Sequence, residues 1–260
     1  MTALRWWLSD AWVVTVRHLR RIPRQPDMLV FATIQPIIFI VLFRYVFGGA
    51  IGKSVPGGDY AQFLMPGIFV QTVVFGSVAA TGIGIAADME KGIMDRFRSL
   101  PMTRTSVLLG HSLADVVRNT MTVAVMVIVG LMVGFRFEGG FLGAVGGIGM
   151  LLFFGFAFSW IAALIGLSVA SVEAAQSGGF IWLFPLTFAS SAFAPVETMP
   201  GWLRAFAEHN PVSVTVNMLR GFFNGTDIGT NGWQSLAWAF GVIAVFLPLA
   251  VLKFRRASSH

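Results

Sequence analysis

Cysteine is absent from the 260 residues, which excludes disulfides, thiolate metal sites and cysteine nucleophiles. Charge is scarce: Asp, Glu, Lys and Arg make up 12% of the chain, against roughly 25% in a soluble domain. A water-soluble globule of this length could not cover itself with so few charges, and it would expose large apolar patches. Histidine occurs only at His18, His111, His209 and His260, scattered along the chain, and no His-Glu-x-x-His pattern joins any two of them. What is abundant is apolar. Hydrophobic residues make up 56%, with 25 Phe and 8 Trp, and the mean hydropathy is +0.76. So many aromatics would collapse in water, which excludes disorder. The combination predicts an integral membrane protein.

Charge-free runs mark the expected crossings, because a spanning helix needs about 20 apolar residues. They are Met28–Phe43 with a continuation past Arg44, Tyr60–Ala87, Asn119–Phe135, Gly139–Val172, Ala174–Val196 and Ile228–Leu252. The expectation is an all-α protein forming a single transmembrane domain, with six transmembrane helices over 28–50, 61–87, 106–135, 141–171, 176–195 and 231–252. The Gly139–Val172 run is expected as one helix, since two would each be too short to cross.

The basic residues orient this bundle. Arg5, Arg17, Arg20, Arg21 and Arg24 precede the first span, Lys91, Arg96, Arg98 and Arg104 follow the second, and Lys253, Arg255 and Arg256 follow the sixth. The intervening connections hold only Lys53, Arg136, Arg204 and Arg220. Both termini are therefore expected in the cytoplasm. The net charge of +6 becomes a topology signal whose partner is anionic lipid, with no need for nucleic acid. Within residues 1–24, Leu4, Trp7, Leu8, Ala11, Trp12 and Val16 recur at helical spacing. This predicts an amphipathic interface helix, not a cleavable signal peptide, ended by Pro23 and Pro26.

Several motifs have plain explanations. Gly52-Lys53-Ser54 ends like a phosphate-binding loop, but Phe47 stands where that loop needs its first Gly, and no strand precedes it. A flexible external turn is the expectation there. Arg44, late in the first span, is expected to snorkel to the outer headgroups. Asp115 and Arg118 share a helix face and read as a structural ion pair where the third helix extends into the cytosolic interface. Small-residue spacings such as Gly143-x-x-x-Gly147, Gly155-x-x-x-Ser159 and Gly76-x-x-x-Ala80 permit close helix packing. Mild polar residues inside spans, among them Gln35, Gln71, Thr72, Ser77 and Thr81, suit interhelical hydrogen bonds or a substrate path.

Two connections are unusual. In 88–104, charges alternate with Ile93, Met94, Phe97 and Leu100 before Pro101, a pattern that suits docking of a soluble partner or a helix lying on headgroups. The stretch 197–223 is too apolar for a free loop and too charged for a span. Two short helices broken at Asn210-Pro211, dipping back at the outer leaflet, would fit it.

Three stretches together resemble the type-2 ABC exporter permeases. They are Glu90-Lys91-Gly92 … Arg96 … Arg98-Ser99-Leu100-Pro101-Met102, then Gln35-Pro36 followed by Phe43-Arg44-Tyr45-Val46-Phe47-Gly48-Gly49, and third Phe193-Ala-Pro195 … Pro200-Gly201-Trp202-Leu203 … Asn210-Pro211 … Leu219-Arg220. The last is most similar to the daunorubicin-resistance branch. The resemblance implies a permease subunit in the bacterial inner membrane, working with a second permease chain as a homo- or heterodimer and with cytosolic ATPase subunits. ATP and Mg would bind the ATPase and no cofactor this chain. It implies an ATPase-docking coupling helix carrying Glu90, Lys91, Gly92, Asp95, Arg96, Phe97, Arg98, Leu100 and Pro101. It also implies a translocation path along the second and fifth spans, with Gln71, Phe75, Thr81, Phe184 and Phe188 as candidate lining, and a re-entrant external cap including Pro195, Pro200, Trp202, Asn210 and Pro211. The cargo would be a hydrophobic or amphipathic molecule such as a drug, lipid or glycolipid, moved outward. The aromatic residues of the fifth span suit such a cargo or lipid-facing packing equally. The alternative is a self-contained carrier or channel, which the shortage of ionisable residues in the spans disfavours. A membrane-embedded enzyme would need clustered His or carboxylates, for which Glu208-His209 is the only sequence hint.

Overall fold

The computed structural model describes residues 12–19, 26–51, 55, 59–93 and 104–256. Among them every regular element is helical. Residues 12–19 form α1. A rod α2 runs through Pro26–Val41, a π-helical turn Leu42–Phe47 and Gly48–Ile51. A second rod, α3, runs through Tyr60–Ser77, a π-helical turn Val78–Gly82 and Ile83–Glu90. Next come α4 (Arg104–Val133), α5 (Gly140–Gly166) and α6 (Val172–Phe188). A 3-10 turn at Val196–Thr198 leads to α7 (Gly201–His209), α8 (Pro211–Asn224) and α9 (Asn231–Arg256).

Local chemistry sets the boundaries. The Asp59 carboxylate accepts the Ala61 N–H at 2.9 Å to start α3, and the Ser171 hydroxyl accepts the Ala174 N–H at 3.2 Å to start α6. Asn210 accepts the Val212 N–H at 2.8 Å, with Pro211 at the first position of α8. Gly225, at φ 67°, closes α8 in the left-handed conformation that favours glycine.

Among the described residues, four helices are long and apolar enough to cross a membrane: Tyr60–Glu90, Thr105–Val133, Gly140–Gly166 and Asn231–Arg255. This makes the chain a multi-pass membrane protein. The first expected span, 28–50, lies within α2, which carries the apolar stretch Thr33–Val46. The fifth, expected over 176–195, is the 17-residue α6, which stops at Phe188. The cause is on the far side of the turn. The Asn210 amide nitrogen donates to the carbonyls of Leu186 at 2.7 Å and Ala189 at 2.9 Å, satisfying groups that a longer helix would have used. At 1.5 Å per residue α6 is about 25 Å long, less than the roughly 30 Å of a hydrocarbon core.

The rods alternate in direction between two ends. One, the hairpin end, carries α7 and α8. The other, the basic end, carries Lys91, Lys253 and Arg255. The α5 helix packs against α3, α4, α8 and α9. Its small residues let it do so. Gly147 lies against the Phe223 ring, Gly155 against Val73, and Gly166 against the backbone of the α3 π-turn at Gly82. The Ser77 hydroxyl donates to the Gly155 carbonyl at 3.2 Å across the same contact. A second apolar cluster, with Ile85, Val107, Leu108, Trp160 and Phe254, closes the basic end.

At the hairpin end Arg220 is the fastening. Its guanidinium donates to the carbonyl of Phe63 at 2.9 and 3.0 Å, to that of Ser191 at 2.7 Å and to the Asn217 side chain at 2.8 Å, and it lies 3.5 Å from the centre of the Phe63 ring. These contacts join α8, the start of α3 and the turn after α6.

Gly67 of α3 sits against the backbone of Ala192 in that turn, leaving no space for a Cβ. Gly67→Ala is expected to cost about 1–3 kcal/mol through overpacking, whereas nothing lies near a Cβ at Gly49. Thermal unfolding of the purified protein in detergent checks this. The midpoint should fall for Gly67→Ala and hold for Gly49→Ala.

Candidate functional site

A cavity of about 750 Å³ opens between α2, α3 and α4, a volume suited to a drug-sized ligand. Its apolar wall includes Phe39 of α2, Phe75 of α3 and Phe180 of α6. Its polar wall includes Gln35, Gln71, Thr72, Asn119 and Thr122, with the Asp115–Arg118 pair beside them. At its basic end lie His18, Asp88, Lys91 and His111. The π-turn Val78–Gly82 gives α3 its irregular stretch on this cavity, where Ala79 and Ala80 form part of the wall. Such turns recur at functional sites.

The Asp115–Arg118 pair lies on the cavity wall, near the middle of the 30-residue α4. Arg118 Nη2 lies 2.7 Å from Asp115 Oδ1, and the two side chains are 18% and 1% exposed. The same nitrogen donates to the Gly76 carbonyl of α3. The ion pair is thus a cross-brace between helices. Asn119 continues the brace, donating to Ser77 Oγ at 3.4 Å. Not every wall group is paired. Gln71 Nε2 and Thr72 Oγ1 are buried with no hydrogen-bond partner among the described residues, an arrangement that costs stability and leaves polar atoms on the wall that a ligand could meet.

Of the candidate path residues, Gln71 and Phe75 lie on the cavity wall. Phe184 and Phe188 continue from it as an aromatic track. Ring centroids are 5.1 Å apart for Phe75–Phe184, 5.9 Å for Phe184–Phe188, 5.0 Å for Phe188–Phe193 and 4.7 Å for Phe193–Phe43. The track leads from the cavity to the hairpin end, where the Phe193 carbonyl accepts the Tyr60 hydroxyl at 3.0 Å. Thr81 stands apart, buried in the π-turn and off the cavity wall.

Around the hairpin, Asn210 is buried and joins α6 to α8, whereas Trp202 of α7 is 76% exposed. Pro195 and Pro200 bracket the 3-10 turn, and Pro211 begins α8. Glu208, the enzyme hint, is engaged with Arg204 at 2.7 Å on the exposed face of α7, and its hydrogen bond and charge raise the Arg204 pKa above its ordinary value. His209 Nδ1 sits 3.0 Å from the Ala205 carbonyl. Arg44 faces the Asp59 carboxylate at 3.5 Å, so its charge has a partner within the chain. Of the expected docking residues, Glu90, Lys91 and Gly92 are exposed at the end of α3. Asp95, Arg96, Phe97, Arg98, Leu100 and Pro101 lie outside the described residues, as do Lys53 and most of the expected interface helix. The histidines were read as scattered, yet the fold brings His18 and His111 together beside Asp88. Their spacing in the chain gave no local signal, because three separate elements supply them.

Residues 9–224 match the family described as ABC-2 type transporter. The chain is 38% identical to the daunorubicin resistance ABC transporter permease protein DrrB1 of Streptomyces coeruleorubidus, with 100% of this chain and 89% of that protein covered. It is 28% identical to the probable doxorubicin resistance ABC transporter permease protein DrrC of Mycobacterium tuberculosis (strain ATCC 25618 / H37Rv), over 99% of this chain and 92% of that one. It is also 28% identical to the putative transport permease ycf38 of Porphyra purpurea, over 89% and 79%.

Removing one partner of a buried pair leaves an uncompensated charge and costs about 3–5 kcal/mol. Arg118→Gln is therefore expected to destabilise the protein strongly, and Asp115→Asn combined with Arg118→Gln to recover part of the loss. Melting midpoints of the two single variants and the double variant, in detergent, measure the coupling.

Proposed function

The chain belongs to the ABC-2 type transporter family, and from that premise we propose that this permease subunit exports planar, amphipathic aromatic molecules of the drug class through the cavity between α2, α3 and α4. The observation that carries the proposal is the cavity's composition. Phe39, Phe75 and Phe180 offer ring faces to a flat cargo, and the unpartnered Gln71 amide and Thr72 hydroxyl offer hydrogen bonds to its polar rim. The printed names of two relatives, for daunorubicin and doxorubicin resistance, support the same class. The chain is a transporter subunit and not an enzyme in itself, so the work must come from a partner.

In this reading α2 to α6 and α9 provide six crossings of a bacterial inner membrane, with both termini and the basic end in the cytoplasm. Residues 88–104 are the coupling helix that receives a cytosolic ATPase, and Glu90, Lys91 and Gly92 stand exposed where that stretch begins. ATP and Mg belong to the ATPase. A second permease chain faces α6, whose Ile181, Phe184 and Phe188 are exposed large apolar side chains. ATPase closure pushes the coupling helices, the two permeases rock, and cargo leaves the cavity along the Phe184–Phe188–Phe193 track. The α7–α8 hairpin dips into the outer leaflet and caps the exit. Its irregular turns are tolerated there because Arg220 and Asn210 satisfy their carbonyls.

The test uses inside-out vesicles holding the permease and the ATPase from its operon, with daunorubicin as probe. ATP-driven uptake is expected for the native chain. Phe75→Ala should weaken drug binding about tenfold, in keeping with loss of a ring contact worth about 1 kcal/mol plus its buried area, while the ATPase stays bound. Glu90→Arg combined with Arg98→Glu should lose the ATPase. A native chain that transports the drug with no ATPase bound would favour the self-contained carrier.

A further inference from the structure

We propose that His18 of α1, Asp88 of α3 and His111 of α4 form a binding site for a divalent transition-metal ion, with Zn2+ the best-fitting chemistry. Two imidazoles and a carboxylate are the donor set that suits Zn2+, Co2+ and Ni2+, and they leave one tetrahedral position open. One ligand atom from each residue can be chosen so that all three lie within 4.8 Å of one another. His111 Nε2 is 3.5 Å from Asp88 Oδ2. Metal–ligand bonds of about 2.0–2.1 Å give tetrahedral edges of roughly 3.3–3.5 Å, so that edge is already the right length, and the other two must close from no more than 4.8 Å. The His18 and His111 rings are 4.0 Å apart between centroids, so the two imidazoles stand side by side next to the carboxylate.

The surroundings fit an ion as well. Asp88 and His111 are buried, with side chains 3% exposed. The frame holds without the ion, because the Thr15 hydroxyl donates to the Gly110 carbonyl at 3.3 Å, linking α1 to α4 beside the ligands. All three ligands line the cavity, which gives an ion its entry path and a water its place as fourth ligand. Glu90 and Lys91, the charged residues that follow Asp88 in the chain, are both exposed. A bound ion fastens α1 to the ends of α3 and α4, two residues before Glu90. It therefore closes the polar end of the cavity where the docking stretch starts. The inference is independent of the cargo.

The experiment uses the full chain in lipid nanodiscs, purified with a histidine-free tag and stripped by chelator. Titration with Zn2+ is followed by calorimetry and elemental analysis, and Co2+ by its visible absorption. The expected result is one ion per chain, a tetrahedral Co2+ spectrum, and affinity lowered about tenfold or more in His18→Gln and in Asp88→Asn. His18 is on a peripheral, partly exposed helix, so its variant should remain folded. The Co2+ spectrum of the native chain needs no variant. Failure of the native chain to bind Zn2+ stoichiometrically, Co2+ left in octahedral aqueous form, or unchanged affinity in folded His18→Gln would each overturn the proposal. The cluster would then be an imidazole–carboxylate contact only.

Discussion

The Arg220 guanidinium meets a constraint that the whole hairpin end obeys: a buried backbone carbonyl freed by the end of a helix needs a donor from the protein itself. A long unbroken helix meets the need by its own ladder, as α4, α5 and α9 do. The turn after α6 and the hairpin that follows do not. Arg220 therefore spends its donors on Phe63, Ser191 and Asn217, and Asn210 supplies Leu186 and Ala189. Because the planar fork presents five N–H groups at fixed angles, one arginine can join three chain segments where a lysine would reach one or two. The position of α8, and with it Phe222 and Phe223 against α5, follows from that fastening.

The cavity is the counterpart. Along its wall the same rule is met only in part. Arg118 binds Asp115 and the Gly76 carbonyl, and Asn119 binds Ser77, so α3 and α4 stay braced. Gln71 and Thr72 keep buried polar atoms without partners. A fully satisfied wall would have been rigid and indifferent to a ligand, and a wholly unsatisfied one would have destabilised the bundle. The division between braced and unbraced groups gives the cavity both a fixed shape and a capacity for binding.

Much of the architecture was legible in the sequence, because it follows from long-range averages. Hydropathy placed the apolar rods, and small residues such as Gly147 and Gly155 marked the packing face of α5. The break between α7 and α8 is local chemistry, an asparagine cap followed by proline, and it stands in the chain at Asn210-Pro211. The site was less legible. Gln71 and Phe75 could be named because they lie on an apolar rod with mild polarity. Asp115 and Arg118 could be read as an ion pair from their spacing, but not as a brace to the Gly76 carbonyl, and His18, Asp88 and His111 were not connected at all, since their meeting depends on how α1 lies across the ends of α3 and α4. The early stop of α6 had the same origin, as its terminating donor comes from Asn210, 21 residues after Ala189.

The central claim is that cargo occupies the cavity between α2, α3 and α4. The chain has no native cysteine, so single cysteines give an unambiguous readout. Ala80→Cys lies on the cavity wall, and Thr120→Cys lies on the exposed face of α4. Maleimide labelling of each, in membranes, with and without daunorubicin, tests the claim directly. Protection at Ala80→Cys with unchanged labelling at Thr120→Cys is the predicted result. Equal labelling of Ala80→Cys with and without the drug, at concentrations that drive transport, would contradict it.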